Sequence, residues 1–217
     1  MSRLADVIRP KALLFDLLTG LIDSWSLWDN VAGNAKDGRC WRAAYLRSTY
    51  AAGRYRAYET LVREAAEIVG LAPDLAERLV RRYGELAPWP EVGEVLGALR
   101  GHLPLGIVTN CSEALAQIAV ARTGIGFDTI VSAERAGFYK PHPHPYLLAL
   151  DELQVEPRDC LFVAGSAYDL TGAAAVGLSV FWHDRIGMTM PPDAPLPLAR
   201  CDSLHPLKQL LANDTYG

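Results

Sequence analysis

The sequence predicts an α/β fold: one parallel sheet carries most of the chain, and a block of helices is inserted early. Three observations predict it. An apolar run, Ala12 to Phe15, stops at Asp16 and is followed by the turn residues Thr19 and Gly20; unbroken apolar strands belong to parallel sheets covered on both faces. From Cys40 to about Pro90, apolar residues recur at helical spacing with no strand-like alternation. From Glu91 onward, short apolar strands alternate with helices, which implies right-handed βαβ units.

Taken in order, the first strand is Ala12 to Phe15. A tryptophan-rich segment, Leu21 to Asp29, and a loop around Gly33 to Gly38 follow. Three helices are expected at Cys40 to Ala52, Tyr55 to Val69 and Pro73 to Leu86, punctuated by Gly53, Gly70 and Pro73. Pro88-Trp89-Pro90 is a stiff break. Glu91 to Leu99 is helical, and Leu103 to Thr109 is a strand. Ser112 can cap a helix running to about Arg122. Thr129 to Ser132 is a strand. Pro143 to Leu153 is a helix, with proline early, where a missing N–H does no harm. Cys160 to Ala164 is a strand, Thr171 to Val176 a small-residue helix, and Leu178 to Trp182 a strand. Gly187 to Arg200 carries four prolines and reads as a loop, and Ser203 to Leu211 as a closing helix.

Bulk composition narrows the functional classes. A chain of 217 residues makes one large domain or a core with a smaller insertion. Its formal net charge of -4, with no Lys/Arg block, gives no footprint for nucleic acid. Its apolar runs fall short of a membrane span. Met1 to Pro10 holds Arg3, Asp6 and Arg9 without an apolar core of signal-peptide length, so the cytoplasm is the expected compartment. Cys40, Cys111, Cys160 and Cys201 form no C-x-x-C pair, so neither a zinc site nor a disulfide framework is expected. Cys111 follows Thr109-Asn110 and reads as a neighbour of a site rather than a nucleophile.

Parallel strands bring their carboxyl ends to one edge, where ligands bind. Asp16, Thr109-Asn110, Lys140 and Asp169 all fall at or just after such ends. Together they offer a nucleophile, a hydroxyl, a fixed cation and a second carboxylate.

These residues, in this order and spacing, resemble the four motifs of the haloacid dehalogenase superfamily. Phe15-Asp16 resembles the first motif, Thr109 the second, Lys140-Pro141 the third, and the loop ending in Asp169 the fourth. Trp41-Arg42, Tyr146 after Lys140, Thr171-Gly172 after Asp169, and Trp182 with Arg185 are similar to features of its L-2-haloacid dehalogenase branch. The resemblance implies a Rossmann-like core, residues 1–20 and 91–217, with an inserted helical cap at 21–90. It implies hydrolysis of a small 2-halocarboxylic acid with no metal or other cofactor. Asp16 would displace halide to form an ester, and Lys140 would keep Asp16 ionised. Thr109 would hold Asp16 or the substrate carboxylate. Arg42 and Asn110 would cradle the halide. Asp169 would act as base on a water positioned by Ser166. Leu18, Leu46 and Tyr168 would line the pocket. A homodimer is a further family expectation.

Chemistry separates the branches. The superfamily's phosphatases carry a second Asp two residues after the nucleophile and a further Asp for Mg²⁺ in the fourth motif. Here Leu18 cannot transfer a proton, Ser166 follows Gly165, and Mg²⁺ favours several oxygen ligands. Departures from the dehalogenase pattern are Thr19-Gly20, where Gly-Thr is usual, and Ala164 and Ser166, where Ser and Asn are common. The apolar Leu18 and the shifted Thr19 leave room for another leaving group, such as the ring nitrogen of azetidine-2-carboxylate. From residue type alone, Arg42 reads equally as a salt-bridged helix face, and Leu46 and Tyr168 as core. Trp25 and Trp28 are expected to pack cap on core. His142 and His144 lack a third metal ligand nearby, and His183 is expected at the surface.

Overall fold

A computed structural model describes residues 4–211 of the chain. Arg3 and the other terminal residues therefore lie outside the described part. Six strands form one sheet: β1 (Ala12–Phe15), β2 (Leu105–Thr109), β3 (Thr129–Ser132), β4 (Cys160–Ala164), β5 (Ser179–His183) and β6 (Ala199–Cys201). Their order is β3-β2-β1-β4-β5-β6, and every pairing is parallel. β1 is central, with Phe15 opposite Ile107 on one side and Val163 on the other. The direction of winding reverses at β1, so the crevice beyond its carboxyl end is the natural ligand site.

The helices are α1 (Leu4–Val7), α2 (Ser24–Ala32), α3 (Ala35–Ala52), α4 (Tyr58–Ile68), α5 (Leu75–Arg81), α6 (Val92–Leu99), α7 (Glu113–Thr123), α8 (Ala133–Ala136), α9 (Pro143–Leu153) and α10 (Asp169–Ala175). Strand alternation splits the interior. Leu13 and Phe15 face a core shared with α2 to α7, while Ala12 and Leu14 face one shared with α9 and α10. α2 to α5 lie between β1 and β2 in the chain. Trp28 and Trp41 anchor them, with ring centroids 4.5 Å apart, and the Trp41 indole donates to Val62 O.

The expected loop at Gly33 to Gly38 is only a break. Gly33 adopts φ 90° after α2, the Asn34 side chain caps α3 by accepting from Asp37 N, and Gly38 is already helical. A Cβ on Gly38 would lie 2.4 Å from Asp29 Cα, so glycine lets α2 and α3 close on each other. The expected helices at Tyr55 to Val69 and Pro73 to Leu86 are shorter in the structure, and Tyr83–Glu85 is a 3-10 turn. Ser112 precedes α7 without capping it by its side chain; its hydroxyl donates to Glu59. β6 is a strand inside the expected proline-rich loop, and α8 is a single turn where none was expected. Both are too short for a periodic signal. His205–Leu211 closes the described chain as a 3-10 helix.

Candidate active site

β1 delivers Asp16 to the crevice, and the chain then turns back on it. Asp16 Oδ2 accepts from the main-chain N–H of Thr19 (3.3 Å) and Gly20 (3.1 Å). Glycine is required here, since a Cβ on Gly20 would lie 2.2 Å from Asp16 O. Gly165, after β4, presses on the same turn: its Cβ would lie 2.1 Å from Gly20 N. The turn is braced further by Trp89, whose indole donates to Thr19 O (2.8 Å), and by His183 Nδ1, 2.8 Å from Gly20 O.

Lys140 Nζ lies 2.8 Å from Asp16 Oδ1 and 3.1 Å from Asp169 Oδ1, and all three residues are buried. Burial works against the ammonium, but the two carboxylates outweigh it and hold its pKa above the ordinary lysine value. Asp169 goes the other way. Burial, with help from the Asp16 charge, raises its carboxyl to about 6 against the pull of Lys140. Its Oδ1 also accepts from Tyr50 OH (3.3 Å), while its buried Oδ2 has no protein partner.

Asn110 holds Lys140 in place. Its Oδ1 accepts from Lys140 N (2.7 Å) and its Nδ2 donates to Lys140 O (3.0 Å). One N–H of the amide is left for a ligand. Arg42, on α3, donates to Leu18 O (3.2 Å) and Thr19 Oγ1 (3.0 Å) and stacks on Trp25, 4.6 Å from the ring centroid. Its Nε is buried without a protein partner.

Asp16, Leu18, Arg42, Leu46, Asn110, Lys140, Ser166 and Asp169 line one cavity, together with Thr19, Tyr45 and Tyr50. The cavity is small, about 30 Å³, room for a few waters or a very small molecule. The structure does not bring Thr109 or Tyr168 to this wall. Thr109 is buried beneath it, its hydroxyl 3.7 Å from Cys111 Sγ, and Tyr168 is 40% exposed, its ring 4.9 Å from that of Tyr50. Burial pushes the Cys111 thiol up to about 12, which keeps it protonated and unreactive.

One expectation is overturned. His183 is fully buried on β5 and touches Gly20 rather than solvent. Trp25 lies outside the cavity lining and packs α2 against the loop after β1, where its indole donates to Thr19 Oγ1 beside Arg42. Tyr45 and Tyr50 were missed altogether. The available signal was helical spacing: Leu46 and Tyr50 stand four and eight residues after Arg42 on one face of α3.

A divalent cation does not fit this donor set. Two carboxylates are present, and the Lys140 ammonium already lies between them. Among the described residues no group of three or more His, Cys, Asp or Glu could hold a metal ion. Nor is any helix among them long and apolar enough to cross a membrane.

Residues 11–177 match the haloacid dehalogenase-like hydrolase family. The chain is 32% identical over 188 residues to an (S)-2-haloacid dehalogenase of Xanthobacter autotrophicus, covering 78% of this chain and 73% of that one. It is 35% identical over 186 residues to a phosphoglycolate phosphatase of Xylella fastidiosa, covering 78% of each. Among solved structures, the L-2-haloacid dehalogenase from Xanthobacter autotrophicus with chloropropionic acid covalently bound superposes with a TM-score of 0.84 at 25% identity, over 94% of this chain and 99% of that one. The chain belongs to the haloacid dehalogenase-like hydrolase family. It is a hydrolase of the (S)-2-haloacid dehalogenase type.

Proposed function

We propose that this protein hydrolyses a small L-2-haloacid to the 2-hydroxy acid through an ester on Asp16. The observation that carries the proposal is the buried line Asp16–Lys140–Asp169 at the cavity floor, with Leu18 where a phosphatase would need its acid.

In the first step an Asp16 carboxylate oxygen attacks C2, the C–halogen bond breaks, and halide leaves with the electron pair. The Lys140 ammonium, 2.8 Å from Asp16 Oδ1, orients the carboxylate for the attack. Arg42, with its free Nε–H, and the spare N–H of Asn110 offset the charge growing on the halogen. In the second step water attacks Asp16 Cγ, and Asp169 takes its proton. Negative charge then develops on the carbonyl oxygen of the ester. The amides of Thr19 and Gly20, already aimed at Asp16 Oδ2, form an oxyanion hole for it. Collapse breaks the ester C–O bond, Asp169 returns its proton to the departing C2 oxygen, and the hydroxy acid leaves; Asp16, which keeps one oxygen from water, loses the second water proton to solvent and is a carboxylate again. The small cavity, walled by Leu18, Leu46 and Tyr45, suits a short acid. That the Xanthobacter structure carries covalently bound chloropropionic acid supports the ester.

A second reading keeps the ester and changes the leaving group to a ring nitrogen, as in azetidine-2-carboxylate. The apolar Leu18 on the cavity wall leaves room for it, and because amine release needs a proton donor whereas halide release needs only a cradle, a substrate panel separates the two. The division into a core at 1–20 and 91–217 and a cap at 21–90, a homodimer, and action in the cytoplasm complete the proposal.

The test is halide release from L-2-chloropropionate, with and without EDTA, by the wild type and Asp16→Asn. Release by the wild type in EDTA, abolished in the variant, is expected. No release across a panel of short 2-haloacids would reject the substrate.

A further inference from the structure

The hydroxyl of Tyr50 is the one cavity group that joins α3 directly to the proposed base. Asp169 sits at the start of α10, and α10 alone does not fix its carboxylate. Two contacts do so, and both fall on Oδ1: the Lys140 ammonium and the Tyr50 hydroxyl. With Oδ1 accepting from both, Oδ2 is left free of protein donors. A base needs such a free oxygen.

We propose that Tyr50 is a positioning residue for ester hydrolysis: by donating to Asp169 Oδ1 it sets the rotation of the carboxylate and reserves Oδ2 for the water proton. The inference rests on the ester reading above. Burial of Tyr50, reinforced by the Asp169 and Asp16 charges, raises its pKa well above the ordinary tyrosine value. It is therefore a steady donor at neutral pH rather than a second base. Tilted contact with the Tyr168 ring, 4.9 Å between centroids, holds its ring at the cavity edge. Because the hydroxyl arrives from α3, the base is fully oriented only while α3 lies against the sheet edge. Halide displacement uses no proton from Asp169, so the first step does not depend on this contact.

The groups facing Asp169 define what a titration will read. They are Lys140 in the loop after α8, Asp16 at the end of β1, Tyr50 on α3 and Tyr146 on α9, whose buried hydroxyl has no protein partner. A hydrogen bond to the ionised carboxylate stabilises it, so losing the Tyr50 hydroxyl raises the proton affinity of Asp169.

The experiment uses Tyr50→Phe, which removes one oxygen and keeps the ring contact with Tyr168. Aspartate Cγ is labelled with carbon-13, and the Asp169 signal is identified by its loss in Asp169→Asn. Its midpoint is expected to move up by roughly half to one pH unit in Tyr50→Phe. In rapid mixing with L-2-chloropropionate, the variant is expected to keep a halide burst equal to the enzyme. Its steady turnover is expected to fall roughly 10- to 50-fold as ester accumulates. An unmoved Asp169 midpoint overturns the proposal, as does an equal loss of burst and turnover. If no 2-haloacid is turned over by the wild type but the midpoint still moves, the substrate reading fails and the Tyr50–Asp169 coupling stands.

Discussion

Lys140→Met is the perturbation whose consequences follow most directly from the site. It removes a buried ammonium 2.8 Å from one buried carboxylate and 3.1 Å from another. At an effective dielectric of about 20, each contact contributes about 5–6 kcal/mol of Coulomb attraction. Desolvation of the ammonium offsets much of this. The net cost of removing one partner from such a cluster is about 3–5 kcal/mol at pH 8. The variant has a way to recover part of it. With no cation between them, Asp16 and Asp169 share a proton, as close carboxylates do. The folded state then binds more protons than the unfolded state, so the stability of the variant falls as pH rises through the raised pKa. It recovers by about 1.4 kcal/mol per unit of acidification while one proton is taken up. Urea unfolding followed by tryptophan fluorescence at pH 6, 7 and 8 measures this. The deficit relative to wild type is expected to be largest at pH 8 and to shrink by about 2–3 kcal/mol by pH 6. A deficit below about 1 kcal/mol at pH 8, or one that does not change with pH, would refute the idea that Lys140 acts by neutralising the pair.

Other outcomes follow from the same geometry. Turnover limited by ester hydrolysis should rise with pH through about 6, because Asp169 must lose its proton to act as base; a pH–rate profile falling through that window contradicts its role. Arg42→Lys keeps the charge but loses the Nε–H aimed at the halide and the planar guanidinium whose Nη2 holds Leu18 O and Thr19 Oγ1, and should slow halide release roughly 10- to 100-fold. The loss should be greater for a 2-chloro than a 2-bromo acid, which stopped-flow halide detection would show. Gly20→Ala forces a Cβ to within 2.2 Å of Asp16 O, so the loop must shift and the amides must leave Asp16 Oδ2. Activity should drop at least about 100-fold with little loss of substrate binding, as separate kcat and KM values would reveal.

Much of the fold was legible in the sequence because parallel strands advertise themselves. Ala12 to Phe15 and Cys160 to Ala164 are continuous apolar runs, and both became strands with those bounds. β6 and α8 escaped because three or four residues carry no period. The site was legible where residue type and chemistry coincide: Asp16, Lys140 and Asp169 could be placed at strand ends, and the structure brings all three into contact. What the sequence does not display is who touches whom across long separations. Nothing in His183 announces contact with Gly20, 163 positions away. Asn110 was legible as a site residue, yet its amide is largely occupied by the Lys140 backbone. Tyr50 was hidden for a different reason. A tyrosine on an amphipathic helix reads as packing until the facing element is known, and here that element carries Asp169.

The central claim is that Asp16 carries the substrate as an ester that water opens at the enzyme's own carboxyl carbon. Single turnover in oxygen-18 water, with enzyme in excess over L-2-chloropropionate, tests it most directly. Digestion and mass spectrometry should find one labelled oxygen in the peptide containing Asp16 and none in the 2-hydroxy acid. Label in the hydroxy acid with an unlabelled Asp16 peptide would mean that water attacks the substrate itself, and the account would be wrong.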